Sequence, residues 1–156
     1  MEVRFREGRP EDVPTLLRRV AETAWHDLPA EAKAIYTREE VARHAQETAT
    51  LLRRRGESRL VVAETPGGEN VGHVWLGVVR DSYTGAKRGY IYDLYVEPAW
   101  RGRGVGRALL AEAERHSREL GCVELGLTVA ATNVPARRLY EAAGFGVERL
   151  LMGKRL

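Results

Sequence analysis

One stretch limits most strongly what this chain can fold into: Val96-Glu-Pro-Ala-Trp-Arg-Gly-Arg-Gly-Val-Gly-Arg107. Ahead of it, Gly89 to Glu97 reads as a strand, which Pro98 ends because proline has no amide for a ladder. Behind it, Val105, Leu109, Ala113 and Leu120 recur at helical spacing, giving a helix from Gly104 to Leu120. A strand therefore passes through a glycine-rich turn directly into a helix. Gly102, Gly104 and Gly106 remove side chains where backbone would approach a ligand. The amides at such a helix start point one way and carry the positive end of its dipole, an anion site suited to a pyrophosphate. Arg101, Arg103 and Arg107 add positive charge nearby. The Gly-Lys-Ser/Thr of a P-loop is absent, and G-x-G-x-G is not the G-x-G-x-x-G of dinucleotide folds. Taken alone, the turn is also compatible with a plain helix start.

The rest of the chain supplies a sheet and more helices. Val3 and Phe5 alternate with charged residues as in a half-buried strand. Pro10, Glu11 and Asp12 suit a helix first turn, and Val13, Leu16, Leu17, Val20 and Ala24 continue one apolar face. After a break over residues 25–36, Thr37-Arg-Glu-Glu40 has capping-box spacing and opens a helix that runs to about Arg55, where Gly56 stops it. Arg59 to Glu64 and Val71 to Arg80 form a hairpin around Pro66-Gly-Gly-Glu-Asn70. Val123 to Ala130 reads as a strand. Asn133 opens a fourth helix, with Pro135 in its first turn and Gly144 at its end, and Phe145 to Leu156 reads as a last strand. The order β α α β β β α β α β implies an α/β (α+β) sheet with helices on both faces.

Composition excludes several classes. A chain of 156 residues, 44% hydrophobic and 30% charged, reads as one globular domain over residues 1–156. The single cysteine, Cys122, excludes an internal disulfide and a cysteine-based zinc cluster, and no metal is expected. A net charge of +3 is too small to argue for nucleic acid. No apolar run could span a membrane, and the charged, alternating N-terminus is not a signal peptide, so a cytoplasmic location is expected.

With these residues in view, the chain resembles the GNAT acetyltransferase superfamily. The signature Q/R-x-x-G-x-G/A is matched by Arg101, Gly104 and Gly106, preceded by Leu94-Tyr-Val96 and Pro98. A second signature is matched by Asn133, Ala136, Tyr140, Gly144 and Phe145. The likeness in element order covers about residues 2–152. It implies a mixed, mostly antiparallel sheet of about six to seven strands, flanked by four helices and splayed at the cofactor-binding strands. It also implies acetyl-CoA as co-substrate. The backbone of Leu94, Tyr95 and Val96 would hold the pantetheine arm, with the Val96 amide polarising the thioester carbonyl. The amides of Arg101, Gly102, Arg103, Gly104, Val105 and Gly106 would hold the pyrophosphate, with Arg107 also among the cofactor-binding residues, and Asn133 would reach the cofactor across the splay.

By the same resemblance Tyr140 is the general acid that protonates the leaving thiolate, a task for a weak acid that is neutral at pH 7. The general base stays open. Asp93 is the first candidate, since an idle carboxylate inside a strand would be costly. His73 is the second, because imidazole titrates near neutrality; a chain of waters is the third. Glu97 reads as solvated. The acceptor pocket would draw on Trp25, His26, Tyr36, His73, Trp75 and Tyr83. Arg137 and Arg138 meet either a phosphate of CoA or water. The acceptor would be the amine of a small molecule, protein or peptide, and a homodimer is left open. The alternative is a non-catalytic acyl-CoA-binding or regulatory module on the same fold.

Overall fold

The computed structural model describes residues 2–156. Strands β1 (Arg4–Glu7), β2 (Ser58–Glu64), β3 (Asn70–Arg80), β4 (Lys87–Val96) and β5 (Leu125–Leu127) form one sheet in chain order. The first four run antiparallel; β5 joins β4 in parallel. The helices are α1 (Val13–Asp27), α2 (Ala30–Lys33), α3 (Arg38–Arg54), α4 (Val105–Glu119) and α5 (Val134–Ala142). The capping box expected at Thr37 is formed: Glu40 N–H donates to Thr37 Oγ1 at 3.1 Å, and Thr37 N–H donates to Glu40 Oε2 at 2.8 Å. Two otherwise orphan amides are thereby satisfied.

The α/β class and the mixed, mostly antiparallel sheet hold, but two counts differ. A short fifth helix, α2, occupies part of the break between the first two long helices. Among the described residues the sheet has five strands rather than six or seven. Residues 146–156 form no strand, and Leu150, Leu151 and Met152 are exposed there. The expected strand from Val123 to Ala130 contracts to the three residues of β5. A strand exists only where a neighbouring edge supplies ladder partners, and three residues offer few. The segment is instead held by Arg88 on Glu148 at 2.7 Å and Arg149 on Asp81 at 3.1 Å.

Two irregularities in β4 matter for the site. First, Trp75 pairs with Asp93 while Leu76 pairs with Ile91, so Tyr92 is an extra residue in the ladder. This bulge turns Tyr92 and Asp93 to the same face of the sheet. Tyr92 packs on Trp75, with ring centroids 4.7 Å apart, and Asp93 bonds His73. Second, β5 pairs with β4 only from Gly89 to Ile91. Beyond Ile91 the two strands part, and among the described residues no strand covers the β5-side edge of Leu94 and Val96.

The sheet is packed on both faces. Val105, Leu109, Leu110 and Ala113 of α4 cluster with Val61, Ala63, Val71, Val74, Leu76 and Ile91, and Leu139 and Tyr140 of α5 pack beside them. On the other face Leu16 of α1 and Ala49 of α3 cover Trp75. Each fully buried valine, leucine or isoleucine in these clusters contributes roughly 1.5–3 kcal/mol.

Candidate active site

The glycine turn is open to solvent and built for positive φ. Gly102 has φ +72° and Gly104 φ +84°, a region that side-chain-bearing residues avoid. A Cβ on either would have no neighbour within 4 Å, so the space above both is free. Gly106 differs: a Cβ there would lie 3.1 Å from Leu139 Cδ2, so its missing side chain lets α4 meet α5. The first intrahelical bond of α4 is Ala108 N–H to Gly104 C=O at 3.0 Å. The amides of Val105, Gly106 and Arg107 therefore lie ahead of the helix's own ladder, where an anion can take them.

Just before this turn lies the uncovered edge of β4. Glu97 N–H donates to Val71 C=O across the β3 side at 2.9 Å. Strand alternation then turns Tyr95 toward β3, opposite His73, and directs the amides of Leu94 and Val96 to the open edge. Tyr95 thus contributes its side chain to the site and its backbone to the sheet. Arg101 does not reach out over the turn. Its Nε donates to Val96 C=O at 2.8 Å, and its guanidinium lies 5.6 Å from the Tyr95 ring centroid. Arg103 lies over Trp100 at 5.1 Å. A pantetheine-like arm with amides, ending in a pyrophosphate, fits this edge and turn: two strand amides that no neighbouring strand takes, then free helix amides under open space.

Beneath the edge is a buried polar chain. His73 Nε2 and Asp93 Oδ2 are 2.6 Å apart, and the two residues are 1% and 6% exposed. On the other side of the imidazole, Arg19 Nη1 lies 3.2 Å from His73 Nδ1. Arg19 is itself 1% exposed and pairs with Glu97 at 2.9 Å. Burial pushes the Glu97 carboxyl up, but Arg19 and Arg18 outweigh it and hold Glu97 below its ordinary range. Glu97, read from the sequence as solvated, is thus part of this cluster.

Tyr140 lies on α5 against the α4-side core, its ring 5.9 Å from that of Phe145. Burial, with the nearby carboxylates of Asp93 and Asp27 adding to it, pushes its phenol up to about 12. Tyr140 is therefore a protonated donor at neutral pH. Asn133 caps α5 by accepting from Ala136 N–H at 3.3 Å, and its amide donates to Asp27 at the end of α1 at 3.1 Å. Both of its functional groups already have partners within the chain.

The side chains expected around the acceptor scatter. His73 joins Asp93 but is sealed from solvent. Trp75 is 2% exposed and belongs to the core, so it lines no accessible pocket. Tyr83 sits at the tip of the β3–β4 hairpin, 80% exposed beneath Arg149. That tip is roughly 20 Å of strand away from Asp93, at about 3.3 Å per residue. Trp25 carries Lys33 and Arg38 over its ring at 5.7 and 5.1 Å. His26 is exposed beside Asp27 and Tyr36 is exposed near the start of α3.

Sequence reading passed over Arg19 and Asp27. Both had a signal: Arg19 falls three residues after Leu16 and Asp27 three after Ala24, positions on the apolar face of α1 where a charge needs a buried partner. Among the described residues, no group of three or more His, Cys, Asp or Glu is placed to hold a metal, and no helix is long and apolar enough to cross a membrane.

Comparison with known proteins adds to this geometry. Residues 17–145 match the model of the acetyltransferase (GNAT) family. The chain is 42% identical over 88 residues to a mycothiol acetyltransferase of Propionibacterium freudenreichii, a stretch covering 56% of this chain and 28% of that protein. It is 35% identical over 92 residues to the type 1 aminoglycoside N(6')-acetyltransferase of Stenotrophomonas maltophilia, covering 57% and 60%. It thus spans only part of the length of these curated relatives. Among solved structures, a Pyrococcus furiosus protein provisionally assigned as an acetyl transferase superposes with TM-score 0.87 at 30% identity, over 99% of this chain and 100% of that one.

Proposed function

Because the chain belongs to the acetyltransferase (GNAT) family, we propose that it is an N-acetyltransferase that moves the acetyl group of acetyl-CoA to a primary amine by direct attack. One observation supports this above all: the uncovered β4 edge at Leu94 and Val96 leads through a short turn at Pro98–Trp100 to the free amides and open space at the start of α4. That is a track for an extended arm ending in an anion. The co-substrate supplies an acetyl group activated as a thioester; this chain's residues hold it and move protons.

In this reading the Leu94 and Val96 amides bind the arm, and the Val96 N–H faces the reacting carbonyl. Hydrogen-bond donors aimed at developing negative charge are a large source of rate enhancement. The Val96 C=O, occupied by Arg101, takes no part. Asp93 removes one proton from the incoming ammonium and releases it to solvent after turnover. Nitrogen then bonds to the acetyl carbon as the carbon–sulfur bond breaks. Tyr140 gives its phenolic proton to the departing thiolate and recovers one from the nitrogen that has become an amide. The net exchange is one ammonium and one thioester for one amide, one thiol and one proton.

The test is a panel of amines assayed by release of free CoA thiol. It includes an aminoglycoside and the amine that a mycothiol acetyltransferase acetylates, after the names of two relatives, together with amino acids and peptides bearing free N-termini. Turnover with one class names the acceptor. Acetyl-CoA binding with no turnover on any amine would favour the non-catalytic alternative; absence of binding would remove both.

A further inference from the structure

The guanidinium of Arg19 has five N–H donors, and all five are engaged. Nε and one Nη2 hydrogen go to Glu97 Oε1 at 3.1 and 2.9 Å. The other Nη2 hydrogen goes to the Asn70 carbonyl at 3.0 Å. Nη1 donates to Asn70 Oδ1 at 2.8 Å and to His73 Nδ1 at 3.2 Å. Tyr95 lies against the flat of the group, 5.1 Å from its carbon, and the side chain is 1% exposed. Asn70 is in turn oriented by donating to Asp12 at 3.4 Å. A guanidinium has no lone pair to offer, so its contact with His73 Nδ1 requires that nitrogen to be the acceptor. The single ring proton then sits on Nε2, where Asp93 Oδ2 receives it at 2.6 Å.

We propose that Arg19 is a positioning residue of this site: by holding His73 in the Nε2–H tautomer, it makes the imidazole a fixed donor to Asp93 and leaves Asp93, not His73, to accept the proton of the incoming amine. This rests on the acetyltransferase reading above. Both ring nitrogens of His73 are committed, so no lone pair faces the acceptor. Asp93 keeps its second oxygen, Oδ1, for the proton, while Oδ2 remains bonded to His73 before and after transfer. The ammonium loses one proton and the carboxylate becomes a carboxylic acid. Arg19 touches no reacting atom; it acts through the ring it orients.

The deciding measurement is a long-range 1H–15N correlation spectrum of the histidine side chains in the intact protein. The His73 signals are assigned by their loss in His73→Gln. The expected pattern is a pyrrole-type Nε2 and a pyridine-type Nδ1. The reverse pattern, or two pyrrole-type nitrogens, would overturn the proposal, and this wild-type spectrum needs neither a variant nor an acceptor. In Arg19→Met the Nδ1–H form should appear. kcat/KM for the amine should fall about tenfold, a fraction of what a positioned base supplies. The acetyl-CoA-induced rise in Tm should be unchanged. Arg19→Lys restores a donor and should restore the Nε2–H form. If Arg19→Met keeps the wild-type tautomer and turnover, or Arg19→Lys does not restore the pattern, Arg19 does not position the ring. A correct tautomer in a protein that transfers no acetyl group would instead count against the acetyltransferase reading.

Discussion

The side-chain amide of Asn133 donates to the carboxylate of Asp27 at 3.1 Å, tying the first turn of α5 to the last residue of α1. The same asparagine caps its own helix through Ala136 N–H. Removing Asp27 deletes the tie and an exposed contact to His26 at 3.0 Å, and removing Asn133 deletes tie and cap together. We expect Asp27→Ala to cost about 1 kcal/mol, discounted because its carboxylate is 26% exposed. For a chain of this length that lowers Tm by about 2–4 °C. Asn133→Ala should cost about 2 kcal/mol. The double variant should lose less than the sum of the singles, as bonded pairs do in a mutant cycle. Strict additivity in thermal unfolding would mean the tie contributes nothing.

Tyr140→Phe keeps the ring that packs on Phe145 and deletes the hydroxyl. Folding and acetyl-CoA binding should change little, and kcat should fall by roughly 10²-fold. Because the phenol is pushed up to about 12, it keeps its proton well above neutrality. The wild-type kcat should therefore show no loss between about pH 7 and 10 from ionisation of this group. An ultraviolet titration should lose one late-ionising component in the variant. Full turnover in Tyr140→Phe would leave the tyrosine a packing residue.

The two ends of the glycine turn should respond differently. Gly104→Val meets no neighbour but must adopt φ +84°, a strain of at least about 1–2 kcal/mol. Its side chain would fill the open space, so the acetyl-CoA-induced rise in Tm should vanish. That rise should be easily seen in the wild type, since ligand at about 100 times Kd stabilises by about 2.7 kcal/mol. Gly106→Ala would instead press on Leu139 and act through the α4–α5 contact. Retention of the full shift in Gly104→Val would remove the phosphate-turn assignment.

Stability in acid should report on Asp12. Arg6 donates to both of its oxygens, at 2.7 and 3.0 Å, and this bonding holds the carboxyl below its ordinary value of 3.8. A depressed folded-state value stabilises the native chain above the ordinary value and is lost as pH falls through the folded one. Asp12→Asn should thus cost about 1–2 kcal/mol at pH 7, and the gap should close below about pH 4. Denaturant unfolding at several pH values measures it. A gap that stays constant into acid would place the effect in packing and not in the ion pair.

Asp93→Asn should lower kcat/KM most at low pH, with acetyl-CoA affinity near normal. In acid nearly all of the amine carries the proton that Asp93 is proposed to remove. Full turnover in this variant would mean the base lies elsewhere.

Local patterns placed the four longer helices and several of their ends before any fold was known, but not the short α2 inside the break. Thr37 and Glu40 lie three apart and bond each other, and Asn133 with Pro135 opens α5, because capping needs only neighbours in sequence. The glycine turn was legible for the same reason: its φ values and free amides are properties of six consecutive residues. Phe145–Leu156 has the composition of a strand, yet a strand needs a partner edge, and only the sheet decides whether one is offered. Trp75 and Tyr83 are both aromatic residues on or beside the same hairpin, and only packing sends one into the core and the other to an exposed tip. Arg19, His73 and Asp93 lie 54 and 20 residues apart in sequence. Their chemistry depends on distances of about 3 Å, which come from the register of β3 on β4, the bulge at Tyr92 and the docking of α1, and from no local spacing.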